Sequence, residues 1–150
     1  MAAAVRRLVP GDESILEGLA VHDADFDLEG RSSGLAPLSR TAARDYLGNP
    51  AVLFWAAMEE ATPIGFLECL VLPLRAEPGR EILLYEIGVH HAWRRKGIGR
   101  ALLDEMRTWM QANHVNEAWV LADNATAVEF YKACGFTTQD EMSIYMVLKS

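Results

Sequence analysis

Cysteine is scarce in this chain: only Cys69 and Cys134 occur, too few for a disulfide framework or a four-thiolate zinc site. No apolar run approaches the ~20 residues that a membrane-spanning helix needs, and the N-terminus lacks the apolar stretch of a signal peptide. A cytoplasmic protein without a membrane partner is therefore expected. Positive charge is short too. The 14 Lys and Arg against 21 Asp and Glu leave a net charge of −7, which disfavours nucleic acid as a partner because phosphate backbones attract basic surfaces. His22, His90, His91 and His114 show no metal-ligand spacing, and neighbours in a strand such as His90 and His91 should face opposite ways. No metal is expected. Internal repeats and low-complexity tracts are absent as well. What remains is 150 residues, 51% of them hydrophobic and 23% charged, a composition that builds one globular domain over residues 1–150.

Along the chain, residues 4–9 read as a short strand closed by Pro10-Gly11, and Ser14 to about Leu28 has helical spacing. A loop over residues 31–37 precedes a helix from Ser39 to Leu47, which Gly48-Asn49-Pro50 ends. Val52–Met58 and Ile64–Leu72 form a hairpin pattern, and Glu81–His90 a further strand in which Glu86 is the anomaly. From Gly99 the stripe Leu102, Leu103, Met106, Trp109 and Met110 is helical. A buried strand at Ala118–Ala122, a helix over 125–134 stopped by Gly135, and a half-buried strand from Met142 to Lys149 complete the order. Strands that first meander and then alternate with helices imply an α/β fold, with a mixed sheet covered on both faces.

Charge is unevenly spread. Asp12, Glu13, Glu17, Asp23, Asp25, Asp27 and Glu29 lie in one stretch without Lys or Arg, whereas Arg94, Arg95, Lys96 and Arg100 lie in another without acids. The basic stretch joins a strand to a helix through Gly97 and Gly99. Glycines let a ligand approach the backbone, and a helix start adds unpaired N–H groups and a positive dipole end, so this segment suits a phosphate or pyrophosphate. It is neither a dinucleotide fingerprint, since Leu102 stands where a third small residue belongs, nor a Walker loop, since Gly-Lys-Ser/Thr is missing. Glu86 among apolar strand residues is costly unless paired or functional, and a groove-facing carboxylate there could act as a general base. An outward-facing, cross-strand-paired acid is the alternative.

Arg94-x-x-Gly97-x-Gly99 resembles the acetyl-CoA signature of the GNAT superfamily of N-acetyltransferases, and Asn124-Ala-Thr-Ala127…Tyr131…Gly135-Phe136 resembles its second motif. The resemblance implies a single mixed, mostly antiparallel twisted sheet, with a V-shaped splay between the fourth and fifth strands and helices on both faces. It implies acetyl-CoA as co-substrate. The backbone of Ile87, Gly88 and Val89 would pair with the pantetheine arm, and N–H groups from Arg94, Arg95, Lys96, Gly97, Ile98, Gly99 and Arg100 would hold the pyrophosphate. Asn124 would contact the cofactor or cap the last helix. Tyr131 would sit near the thioester and donate a proton to the departing thiolate, with Glu86 as the base. Cys69 and Cys134 have no His neighbour in sequence and read as core residues, so direct transfer in a ternary complex is preferred.

Several strings are also similar to the type I aminoglycoside 3-N-acetyltransferases: Asp45-Tyr-Leu-Gly-Asn49, Val71-Leu-Pro73 with Glu77-Pro78, Glu81 through Val89, Ala122-Asp123 and Asp140-Glu141. That likeness implies a small cationic amine as substrate, an aminoglycoside acetylated at its 3-amino group. Glu86, Asp123, Asp140 and Glu141 would bind it, and Tyr85 or Trp93 would pack on a sugar face. The acid-rich segment from Asp12 to Glu29 would form one wall of the acceptor groove. The sequence departs from that group in having Glu86 where Asp is usual. Two alternatives stand: the same chemistry on a polyamine, a protein N-terminus or a lysine, and an acyl-CoA-binding module without activity, which would need neither Glu86 nor Tyr131. A homodimer is left open.

Overall fold

The computed structural model describes residues 3–27, 30 and 32–150. Strands β1 (Ala4–Arg7), β2 (Val52–Glu59), β3 (Thr62–Pro73), β4 (Arg80–Val89) and β5 (Ala118–Trp119) form one sheet in chain order. The first three pairings are antiparallel and β4–β5 is parallel, which is the mixed sheet the sequence implied.

Strand periodicity divides the sheet into two faces. Leu53, Trp55 and Ala57 of β2 join one apolar cluster, and Val52, Phe54, Ala56 and Met58 join the other. A strand buried on both sides needs cover on both sides. Helix α3 (Ile98–Ala112) lays Ile98, Leu102, Leu103 and Met106 on the first face, and α4 (Ala125–Ala133) adds Tyr131. Gly65 makes the close approach possible: a Cβ there would lie 2.9 Å from Ile98 Cγ2. Helices α1 (Glu13–Val21) and α2 (Arg40–Gly48) cover the second face through Leu19 and Leu47. Ser39 caps α2 by accepting the Ala42 N–H, as its place before the helix suggested.

Two local features shape the site. First, β5 meets β4 only through Ile82–Ala118 and Leu83–Trp119, so among the described residues no strand pairs with that edge of β4 from Leu84 onward and the sheet is open there. Second, β3–β4 pairing slips between Glu68–Glu86 and Cys69–Leu84, leaving Tyr85 as an extra residue. Such a bulge re-aims the side chains after it. Ile82 and Leu84 before it and Ile87 and Val89 after it all pack with the α3 face. Glu86 therefore points to the α1–α2 face. Without the bulge it would share the face of Ile82 and Leu84.

Three expected elements differ. The first helix ends at Val21 and gives way to a 3-10 turn, Asp23–Asp25; acids crowding a helix C-terminus oppose its dipole. Leu28, Glu29 and Arg31 lie outside the described residues. The fifth strand stops at Trp119 instead of Ala122. The final strand does not form: residues 143–150 carry no regular structure, and Met142, Ile144, Met146 and Leu148 are exposed. Alternation supplies an apolar face, but a strand also needs a partner edge, and the two-residue β5 offers little.

Candidate active site

The bulge delivers Glu86 to a pocket of about 230 Å³ on the α1–α2 side of the sheet. Phe54 and Phe66, stacked at 5.8 Å, line it with Leu16, Leu19 and Tyr46, and its acids are Glu17, Asp23, Glu68 and Glu86. Among the described lining residues there is no Lys, Arg or His. The Glu86 carboxyl is pushed up from 4.5 to about 7, first by partial burial and then by the charges of Asp23, Glu68 and Asp27. A carboxylate with that proton affinity can take a proton from an ammonium near neutral pH.

On the open side of β4 the chain turns through a 3-10 segment, His91–Trp93, into the basic loop. Arg95 and Gly97 both have positive φ, 61° and 80°, so the backbone curls ahead of α3. Ala101 makes the first bond to Gly97, which leaves the N–H groups of Ile98, Gly99 and Arg100 ahead of the helical ladder. N–H groups left ahead of a helix in this way can hold an anion. The side chains contribute less than the sequence suggested. Arg94 turns inward, Nε to the Val89 carbonyl at 3.0 Å and the terminal nitrogen to the Phe26 carbonyl at 3.1 Å. Arg100 donates to the Ala133 carbonyl, and Lys96 lies over the Trp93 ring. Arg94 thus ties the segment ending at Phe26 to the end of β4. Gly99 serves packing: a Cβ would meet Phe130 Cζ at 2.9 Å.

Helix α4 places Tyr131. Asn124 caps it by accepting the Ala127 N–H, so capping, one of its two expected roles, is the one the geometry displays. At the other end Phe136 N–H bonds the Tyr131 carbonyl and Gly135 N–H the Lys132 carbonyl, with Gly135 at φ 97°. That is a Schellman stop, whose usual apolar contact is here Phe136 on Tyr131, centroids 5.3 Å apart. The Gly-Phe pair after the helix therefore fixes the tyrosine ring. The hydroxyl is pushed up to about 12 by burial and by Asp123, so it stays protonated. Cys69 and Cys134 are buried, and burial pushes the Cys69 thiol up to about 12. It is no nucleophile near neutral pH.

The acetyltransferase (GNAT) family profile matches residues 12–136. The chain belongs to that family. It is 30% identical over 90 residues to the uncharacterized N-acetyltransferase MJ1207 of Methanocaldococcus jannaschii, a match that spans 58% of this chain and 40% of that relative. Its fold is similar to that of an aminoglycoside acetyltransferase, meta-AAC0020, from an uncultured soil metagenomic sample in complex with sisomicin (TM-score 0.82, 19% identity, 97% and 96% of the two chains). A second soil metagenomic aminoglycoside acetyltransferase, HMB0005, gives a TM-score of 0.81 at 24% identity over 100% of both chains. The aminoglycoside N-acetyltransferase AAC(6')-Iy in complex with CoA gives 0.71 at 16% identity over 97% and 100%.

In this GNAT domain three of the expected acceptor residues lie away from the pocket. Asp123 follows β5 outside the pocket lining, with Asn124 Nδ2 donating to its Oδ1. Asp140 and Glu141 are exposed in the tail, because the strand that would have carried them back does not form. Glu86 alone of the four lines the pocket. His90 and His91 do not face opposite ways, since β4 ends at Val89; their rings are 4.5 Å apart and both approach Asp25 at 3.9 Å. His90 Nδ1 accepts the Ala92 N–H, and the ligand-capable atoms of Asp25, His90 and His91 lie within 4.8 Å of one another, a grouping that their spacing in sequence did not suggest. Sequence reading missed Glu68 and Tyr46. Glu68 is as anomalous in β3 as Glu86 is in β4, and that signal was available.

Proposed function

We propose that this GNAT domain transfers the acetyl group of acetyl-CoA directly to an amine of an aminoglycoside, at the 3-amino position. The observation that carries the reading is the acid-lined pocket at Glu86, with no Lys, Arg or His among its described lining residues. A polycation suits such a pocket because each ammonium relieves carboxylate repulsion there. The pyrophosphate of acetyl-CoA rests on the N–H groups between Arg95 and Arg100, and its pantetheine arm runs along Ile87–Val89 like an added strand. The thioester then lies in the V between β4 and β5.

Glu86 takes the proton from the acceptor ammonium. The freed amine nitrogen attacks the thioester carbonyl, the tetrahedral adduct collapses, and the C–S bond breaks. Tyr131 gives its hydroxyl proton to the departing thiolate and regains one from the acetylated nitrogen, which sheds its second proton as the amide forms; its raised pKa keeps the phenolate from persisting. Acceptor binding falls to Glu86 and Asp23, which line the pocket; Asp123, Asp140 and Glu141 lie outside its lining. The 3-amino position rests on the similar sequence strings alone.

The test is CoA release with acetyl-CoA and a panel of aminoglycosides, polyamines and peptides, the modified nitrogen being read by NMR. Turnover of gentamicin-type substrates at the 3-amino group is expected. Turnover of a peptide or polyamine with none on any aminoglycoside would remove the antibiotic acceptor and leave the acetyl transfer.

A further inference from the structure

Glu68 and Tyr46 have no part in the chemistry above, and the role inferred for them rests on Glu86 being the base. Glu68 lies directly across from Glu86 in the β3–β4 register, one step before the bulge. Directly opposed residues share a face and sit within reach of one another. Both line the same pocket. Two carboxylates so placed disfavour each other's charge, and hydrogen bonds decide which keeps it. The Tyr46 hydroxyl, carried by α2, donates to Glu68 Oε2. Among the described residues no donor reaches Glu86 in the same way.

We propose that Glu68 is a positioning residue for the base: with one oxygen engaged by the Tyr46 hydroxyl and its carboxyl directly opposite Glu86, it leaves Glu86 the member of the pair that takes up the acceptor's proton. The Tyr46 hydroxyl is itself raised far above the ordinary tyrosine range, by burial first and then by Glu68, so it remains a donor wherever the enzyme would work. The bulge completes the device. It puts Glu86 opposite Glu68 while Leu84 and Ile87 stay in the core on the other face. Other titratable groups face Glu86 as well: Asp23 and Asp27 from the segment after α1, with Glu17 of α1 in the same pocket and Tyr131 of α4 nearby.

The experiment is a carboxyl-carbon NMR titration of the glutamate-labelled protein, with the Glu86 signal assigned by its loss in Glu86→Gln. It is run on the native protein, Glu68→Gln, Glu68→Asp and Tyr46→Phe, alongside pH profiles of kcat/KM with sisomicin and acetyl-CoA. Glu68→Gln should lower the Glu86 midpoint by about one pH unit, the order expected for removing a like charge a few ångström away near the surface. Glu68→Asp, which keeps the charge, should stay near the native midpoint. Tyr46→Phe should give a smaller downward move and a broadened, coupled titration of both glutamates. An unmoved Glu86 midpoint in Glu68→Gln, or a native protein in which Glu68 holds the proton near neutrality, overturns the proposal. The two failures separate cleanly. If Glu86→Gln keeps full turnover, the base assignment fails; if it loses turnover while the Glu86 midpoint ignores Glu68 and Tyr46, only this inference does.

Discussion

Replacing Glu86 by Gln should make the protein more stable and less active at once. A carboxyl whose pKa rises from 4.5 to about 7 on folding binds protons more tightly in the folded state, so its ionisation opposes folding. Below the unfolded value both states are protonated and Glu86 contributes nothing. As pH rises through the window from 4.5 to about 7 the penalty grows, and above it the penalty is complete. A displacement of that size corresponds to at most about 3.4 kcal/mol. Solvent reaches Glu86, and screening reduces the figure to about 1–2 kcal/mol. Urea unfolding at pH 8 should therefore show Glu86→Gln more stable by about 1–2 kcal/mol, and by roughly a quarter of that at pH 5. Turnover of sisomicin should fall by about 10²–10⁴-fold, the usual contribution of a general base. The native kcat/KM should lose its activity as pH falls through about 7, where Glu86 takes up its proton. A variant that is destabilised equally at both pH values would show Glu86 to be a packing residue and refute the argument. A stabilised variant with native turnover would refute the base.

Tyr131→Phe should lower kcat by about 10²–10⁴-fold and leave the KM of acetyl-CoA nearly unchanged, because the hydroxyl matters as the thiolate develops; native turnover would make Tyr131 a core aromatic. Phe136→Ala removes the ring that rests on Tyr131 and should lower kcat as well as stability, with Phe136→Leu restoring stability more than turnover in paired denaturation and rate measurements. Gly97→Val should abolish acetyl-CoA binding, through both its φ of 80° and the bulk it adds to the cradle, whereas Arg95→Ala should only weaken it; equal losses by calorimetry would contradict a backbone cradle. Ser39→Ala should cost about 1 kcal/mol by urea unfolding without changing either KM, since Ser39 caps α2 and faces no ligand.

Local spacing carried most of the fold. The helices after Ser39 and Asn124 start where those residues cap them, α3 starts at Ile98, one residue before the expected Gly99, and Gly135 stops α4 by a geometry written into six consecutive residues. The two glycine-bearing motifs were legible for the same reason: backbone curvature and helix ends depend on neighbours in sequence. Glu86 stood out as a polar interruption in an apolar strand, but its face did not, because one bulged residue reverses the alternation and a bulge is a property of two paired strands. The partnership of Glu68 with Tyr46 and Glu86 joins three elements far apart in sequence, and no pattern along the chain encodes it. Arg94 shows the same limit. Its charge suggested a phosphate ligand, yet folding brought the Phe26 carbonyl 3.1 Å away and gave the guanidinium another use. The tail is the converse case, with strand alternation from Met142 to Lys149 and no strand. Alternation is a one-dimensional property, whereas a strand exists only beside an edge that can accept its hydrogen bonds.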